Sequence, residues 1–250
     1  MTVRGPACVA AASVALGAAL GASAAAAAVT FPSEGTPFRV ERQDSGDTHA
    51  GIGGQAVRIS GTNVRHGSAR VSAGGFALTS EDVGDFLAWC LDTAKLLQLA
   101  SDYAVTATPF ESDPELTAGQ KADMKRLFDT AYDDLLGAAP DGGASAAFQL
   151  ALWEIVNETA TAGGGPDYDL SGGTFLAGEG AGASAAADAL LDGLGAAPTG
   201  DYRLVFLESA ASPASQNLVT VVATPLPAGG LLLFGALGGA AALWRRRRPA

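Results

Sequence analysis

Asp85-Phe86-Leu87-Ala88-Trp89-Cys90-Leu91 is the stretch that decides the fold class. In an extended chain side chains alternate, so Phe86, Ala88 and Cys90 face one way while Leu87, Trp89 and Leu91 face the other. Both faces are apolar, which predicts a central strand buried on both sides. Upstream, residues 29–80 break into short, weakly alternating runs: Phe38-Arg39-Val40-Glu41, residues 56–60 and residues 69–72. Glycine-rich turns at 51–54 and 74–75 separate them, without phosphate-loop spacing. Downstream, Thr117-Ala118-Gly119-Gln120 has the form of a helix capping box. Met124, Leu127, Phe128, Ala131, Tyr132, Leu135 and Leu136 then recur at three and four, predicting a helix with one apolar face that ends at Gly137. Pro140-Asp141-Gly142-Gly143 predicts a turn, followed by a helix over residues 145–159. Phe148, Ala151, Leu152, Ile155 and Val156 make its stripe. Leu150 and Trp153 add apolar surface elsewhere, so this helix should be buried on most sides, with Gln149 inside it. A Gly-rich loop over 163–182, a short helix over 185–194 and two pairing strands at 202–207 and 218–222 complete the chain. The pattern is α+β: an antiparallel β-sheet or barrel-like body with two or three inserted helices.

Composition bounds what such a body can do. The chain has 250 residues, room for one ordinary domain. It carries 15 basic and 26 acidic residues, a formal charge of −11. Arg4, Arg245, Arg246, Arg247 and Arg248 supply five of the basic residues, so ten remain against 26 and the middle carries −16. Bulk charge of that sign excludes nucleic acid and anionic lipid as partners of the body. Two cysteines exclude a disulfide-stapled miniprotein.

The two ends read as addresses. Residues 1–28 have the form of a secretory signal peptide: Arg4, an apolar run over 8–20, then small residues from Ala22 onward. A first transmembrane helix is the alternative, and it lacks a charged stop. Cys8 should leave with the signal. At the other end, Thr224-Pro225-Leu226-Pro227-Ala228 precedes the uncharged residues 229–244, and Arg245, Arg246, Arg247 and Arg248 follow. Sixteen residues of helix span about 24 Å, against a hydrocarbon core of about 30 Å. The arginines act as a stop-transfer signal and should hold that end in the cytoplasm. This order resembles the tripartite sorting tails of the PEP-CTERM class, with Pro225, Leu226, Pro227 and Ala228 matching the VPLPA-CTERM variant and Thr224 standing in place of Val. The resemblance implies signal peptidase and an exosortase-type membrane protease as partners. It also implies export across the inner membrane of a diderm bacterium, anchoring through a C-terminal transmembrane helix until processing, and delivery to the cell surface or extracellular matrix. A plain single-pass anchor is the alternative. The expected organisation is thus a signal at 1–28, an exported body at 29–223 and a sorting tail at 224–250.

With the signal removed, Cys90 is the one remaining cysteine. Such a thiol is an inert buried hydrophobe, an intermolecular disulfide, a nucleophile, or part of another covalent bond. Phe86-Leu87-Ala88-Trp89-Cys90-Leu91-Asp92 and Ala147-Phe148-Gln149-Leu150-Ala151-Leu152-Trp153 together resemble the two signatures of Cys-Gln thioester domains of bacterial surface proteins. In that family a strand carries the thiol and a helix carries the glutamine whose side-chain amide it attacks. The resemblance implies a Cys90–Gln149 thioester with Trp89, Asp92 and Trp153 around it. It implies covalent adhesion to an amine-bearing surface target, and neither an enzyme nor a cofactor. Trp89, Leu91 and Phe148 depart from the family's usual residues. Two other readings stand beside it. One is a passive structural or binding surface protein. The other is a secreted cysteine hydrolase using His49 or His66 as base, for which no orienting Asp or Asn is evident. No metal is expected, since Asp133-Asp134 and Asp167-Tyr168-Asp169 lack a full ligand loop.

Overall fold

The computed structural model describes residues 29–224 apart from 45, 99, 111–114, 138–140, 159–166, 179, 181, 196–199 and 212–213. The signal at 1–28, the sorting motif from Pro225 and the Arg cluster at 245–248 lie outside the described residues. Among those described, no helix is long and apolar enough to cross a membrane.

In chain order the elements are β1 (Pro37–Arg42), β2 (Gln55–Gly61), β3 (Ser68–Ala73), β4 (Phe76–Ser80), β5 (Gly84–Cys90), β6 (Ser101–Thr106), α1 (Ala118–Gly137), α2 (Gly142–Asn157), β7 (Phe175–Gly178), α3 (Ala183–Asp192), β8 (Tyr202–Ser209) and β9 (Leu218–Ala223). Six strands close an antiparallel barrel in the order β1-β4-β5-β9-β8-β6, and β3-β2-β7 form a separate three-stranded sheet. The fold is therefore α+β, mostly antiparallel, with three helices.

β5 lies inside the barrel wall as its two-sided pattern predicts. It pairs with β4 from Phe76↔Ala88 to Ser80↔Gly84, and with β9 at Trp89↔Val219 and Cys90↔Leu218. Trp89, Cys90 and Leu91 are all at most 1% exposed. The paired strands at the end of the chain, β8 and β9, also form as expected. The capping box forms in full: Thr117 Oγ1 accepts from the Gln120 N–H at 3.1 Å, and Gln120 Oε1 accepts from the Thr117 N–H at 2.9 Å. A reciprocal cap of this kind is worth about 1 kcal/mol.

Three expectations need correction. α2 starts at Gly142, not at 145, because Asp141 is its N-cap and accepts from the Gly143 N–H at 2.9 Å. The two glycines that read as a turn are the helix's first residues. Gly142 is required there by close approach: a Cβ on it would lie 2.8 Å from the Gly54 carbonyl oxygen. The stretch 163–182 is not all loop, since β7 forms within it by pairing with β2 from Gly61↔Phe175 to Arg58↔Gly178. β4 and β6 are strands beyond those read individually from the sequence. In β6, Ser101 is buried where an apolar residue would have signalled an inward position.

α2 organises the interior. It packs against α1 and α3, against all three strands of the small sheet, and against β5. Every residue from Ser145 to Ile155 on it is buried. Trp89 fills the space between the barrel and the helices, with its ring edge-on to Phe128 at 5.6 Å and to Tyr132 at 5.3 Å, and tilted on Phe148 at 5.2 Å.

Candidate functional site

Cys90 is the last residue of β5, and the chain beyond it is still pinned to the barrel wall. Leu91 donates its N–H to the Asn217 carbonyl at 2.9 Å, and Asp92 accepts from the Asn217 N–H at 2.6 Å. The thiol therefore sits on a segment with little freedom to move. Opposite it, α2 presents Gln149, itself 1% exposed.

The two residues are joined reciprocally. The Cys90 N–H donates to Gln149 Oε1 at 3.0 Å, and Gln149 Nε2 donates to the Cys90 carbonyl at 2.8 Å. The side-chain amide thus occupies the place that a neighbouring strand's peptide would take. The Cys90 thiol donates to the Asp92 carbonyl at 2.7 Å.

Burial is the main influence on this thiol and pushes its pKa well above the ordinary cysteine range. The Asp92 charge pushes it the same way, while the Trp153 indole and the Asp92 backbone pull it back. Burial therefore favours the neutral thiol over the thiolate. Asp92 is raised as well, first by burial, against the opposing pull of the Asn217 N–H and Lys95.

Sequence spacing explains the rest of the wall. Gln149, Trp153 and Asn157 are four apart and share one face of α2. Trp153 lies beside the sulfur, and its indole N–H is buried without a hydrogen-bond partner of good geometry. Asn157 donates to the Trp153 carbonyl at 2.8 Å and accepts from Thr93 Oγ1 at 3.3 Å. Thr93 and Asn157 were not singled out by the sequence, although the spacing of four from Trp153 was available as a signal. Trp89 is placed differently from Asp92 and Trp153. Strand alternation turns it away from the thiol, and it supports Phe148, the residue before Gln149.

The histidines do not meet the thiol. His49 Nδ1 is bonded to the Gly75 carbonyl at 2.7 Å and Nε2 to Ser72 Oγ at 3.0 Å, with the ring stacked on Phe76. His66 is exposed, in a left-handed backbone conformation at φ 58°. Among the described residues no group of three His, Cys, Asp or Glu side chains could hold a metal ion.

A different titratable group sits on another face of α2. Glu154 is fully buried, and its Oε1 accepts from the Asp169 N–H at 3.0 Å, while Oε2 has no hydrogen-bond partner among the described residues. Burial raises its pKa from the usual 4.5 to about 7. The Asp169 N–H opposes this, and the charges of Glu158, Asp169 and Asp188 add to it. The folded chain thus keeps this proton to a higher pH than the unfolded chain. The stability it contributes is complete below about 4.5 and is lost as pH rises to about 7. Glu154→Gln retains the acceptor for Asp169 and should raise stability at pH 8 by about 2 kcal/mol. It should leave stability at pH 4 unchanged. Urea titrations at the two pH values check both statements, and an equal gain at both would assign the effect to packing.

No family model matches the chain, and no curated protein matches it. Among solved structures it is similar to the N-terminal domain of the Streptococcus pyogenes pilus tip adhesin Cpa, at 13% identity and a TM-score of 0.40, over 74% of this chain and 99% of that one.

Proposed function

We propose that this is an exported surface protein in which Cys90 and Gln149 condense to an internal thioester, which then captures an amine. The observation that carries the reading is the reciprocal pair of hydrogen bonds between the Gln149 side-chain amide and the Cys90 backbone. They hold the amide against the backbone of the residue that carries the one thiol of the body. In the condensation Sγ bonds to Cδ of Gln149, the Cδ–Nε2 bond breaks, and the thiol proton leaves with the nitrogen as ammonia. The Cys90 N–H on Oε1 would stay in place to hold the negative charge that builds on that oxygen. A fixed strand facing a fixed helix supplies proximity, and burial excludes water. A lysine amine that attacks the thioester forms an amide with Gln149 and returns the Cys90 thiol. This is one event without turnover, so the protein is not an enzyme in this reading. Intact mass tests it: the protein should be one ammonia lighter than its sequence.

A passive reading rests on the same two bonds, because they satisfy the Gln149 carbonyl and one amide hydrogen without any reaction. Full mass, with one thiol silent to alkylation until unfolding, would select it.

The export half of the proposal rests on residues 1–28 and 224–250. A reporter fused after residue 223 should be active outside the cytoplasm and silent within it. Cytoplasmic activity would remove the surface assignment. Loss of the tail in the presence of an exosortase-type protease would follow from the motif at 224–228.

A further inference from the structure

A groove of about 490 Å³ is lined in part by Trp153. One wall is β3, of which four consecutive residues, 69–72, line it. Consecutive residues of a strand alternate between faces, so it is the strand's edge that borders the groove. β3 is an edge strand, paired with β2 alone in its sheet. Ile59, Phe76 and Trp153 give the floor an apolar character, and Leu96, 58% exposed, stands at the rim.

The charge of this groove is opposite to that of the body. Arg65, Arg70 and Lys95 line it, three of the ten basic residues left when both ends are set aside, and Asp92 is its single carboxylate. Asp92 is buried and lies 3.9 Å from Lys95. Arg65 and Arg70 are exposed and make no ion pair among the described residues. An acidic body that gathers three cations at one apolar cleft, two of them without an ion pair among the described residues, focuses positive potential there.

We infer that this groove receives an extended, acidic polypeptide segment and presents a lysine of that segment to the Cys90–Gln149 bond. The inference rests on the thioester reading for the covalent step only. An extended chain can add to the β3 edge through its backbone, its carboxylates can meet Arg65, Arg70 and Lys95, and an aliphatic side chain can cover Leu96. Trp153 and Asp92 line the groove and also act on the Cys90 thiol, so the groove borders the reactive pair.

The test uses the full chain and three synthetic peptides built around Leu-Lys: one flanked by Asp and Glu, one by Ser and one by Arg. Binding is measured by fluorescence anisotropy on the Cys90→Ala variant, which cannot form a thioester. At low ionic strength the acidic peptide should bind about tenfold more tightly than the Ser peptide, and the preference should shrink in about 1 M salt. The double variant Arg65→Glu, Arg70→Glu should abolish it. The pair Arg39→Glu, Arg203→Glu makes the same change in net charge at exposed sites outside the groove and should retain it. Equal binding of all three peptides, a preference that survives the Arg65 and Arg70 changes, or equally tight binding of a sulfated polysaccharide would each overturn the inference. On the wild-type chain, the acidic peptide should consume the thioester about tenfold faster than the Ser peptide. A wild-type chain of full mass would remove the covalent step while the Cys90→Ala result still judges the groove. Methylamine opening with no peptide preference would do the reverse.

Discussion

Freshly purified protein, never exposed to amines, should lack one ammonia by intact mass, and both Cys90→Ala and Gln149→Ala should restore the unmodified mass for the substituted chain. The effect is all or none, because the bond needs both partners. Methylamine should add itself to Gln149 and release one thiol, read by alkylation. The geometry sets a further expectation. The thiol is neutral and enclosed, so the unreacted Cys90 of the Gln149→Ala chain should resist alkylation in the native state and react on unfolding. Trp153→Phe keeps an aromatic wall beside the sulfur but removes its N–H, and should slow thioester formation while leaving the final deficit at one ammonia relative to the substituted sequence. Full mass in the fresh wild-type chain would end the covalent reading and leave the groove and the export assignment to their own tests.

Trp89→Ala should cost about 3–5 kcal/mol of stability, the range for emptying a large aromatic site in a close-packed core. Trp89 is 0% exposed and contacts aromatic rings from α1 and α2 at once. Gly75 is small because of it: a Cβ there would lie 2.9 Å from the indole ring. Trp89→Phe should cost less than about half as much, since it preserves most of the ring contacts and removes a buried N–H that has no partner. Denaturant midpoints measure both. Because Phe148 leans on Trp89 and precedes Gln149, the Ala variant should also lose part of its thioester at temperatures where it remains folded. A loss below about 1 kcal/mol for Trp89→Ala would mean that the aromatic cluster is not the joint between barrel and helices.

Much of the architecture was readable before any coordinates. The two-sided apolar run at 85–91 marks β5, and the Thr117–Gln120 pair marks the start of α1, because burial on both faces and reciprocal capping leave local residue patterns. β7 left none: Phe175-Leu176-Ala177-Gly178 sits among glycines and becomes a strand through pairing with β2, a contact between distant residues. The start of α2 was misread because Gly142 and Gly143 carry turn chemistry, whereas the deciding fact is a backbone approach to Gly54 that no local pattern encodes. For the site, Cys90 and Gln149 were paired through a resemblance of short motifs, and the structure brings them within hydrogen-bonding distance. Asn157 and Thr93 were not found, as polar residues of ordinary type acquire meaning only from what faces them. The cationic groove was hidden by averaging, since a net charge of −11 says nothing of where three positive side chains gather.

The position of β9 in the barrel has a mechanical consequence. A tether beyond residue 224, if the proposed sorting tail supplies one, would pull on β9, which is not an edge: it is bonded to β8 from Tyr202↔Ala223 to Leu207↔Leu218 and to β5 at Trp89↔Val219 and Cys90↔Leu218. Force along the strand would load both ladders, and resistance to it is set by the unfolding rate. In the proposed capture reaction, a target would pull from the other side, through Gln149 on α2. Once an amine has opened the thioester, no covalent bridge joins α2 to β5, and the load between tether and target crosses the packed aromatic contacts around Trp89. That interface, and not the barrel, would be the weakest joint under tension.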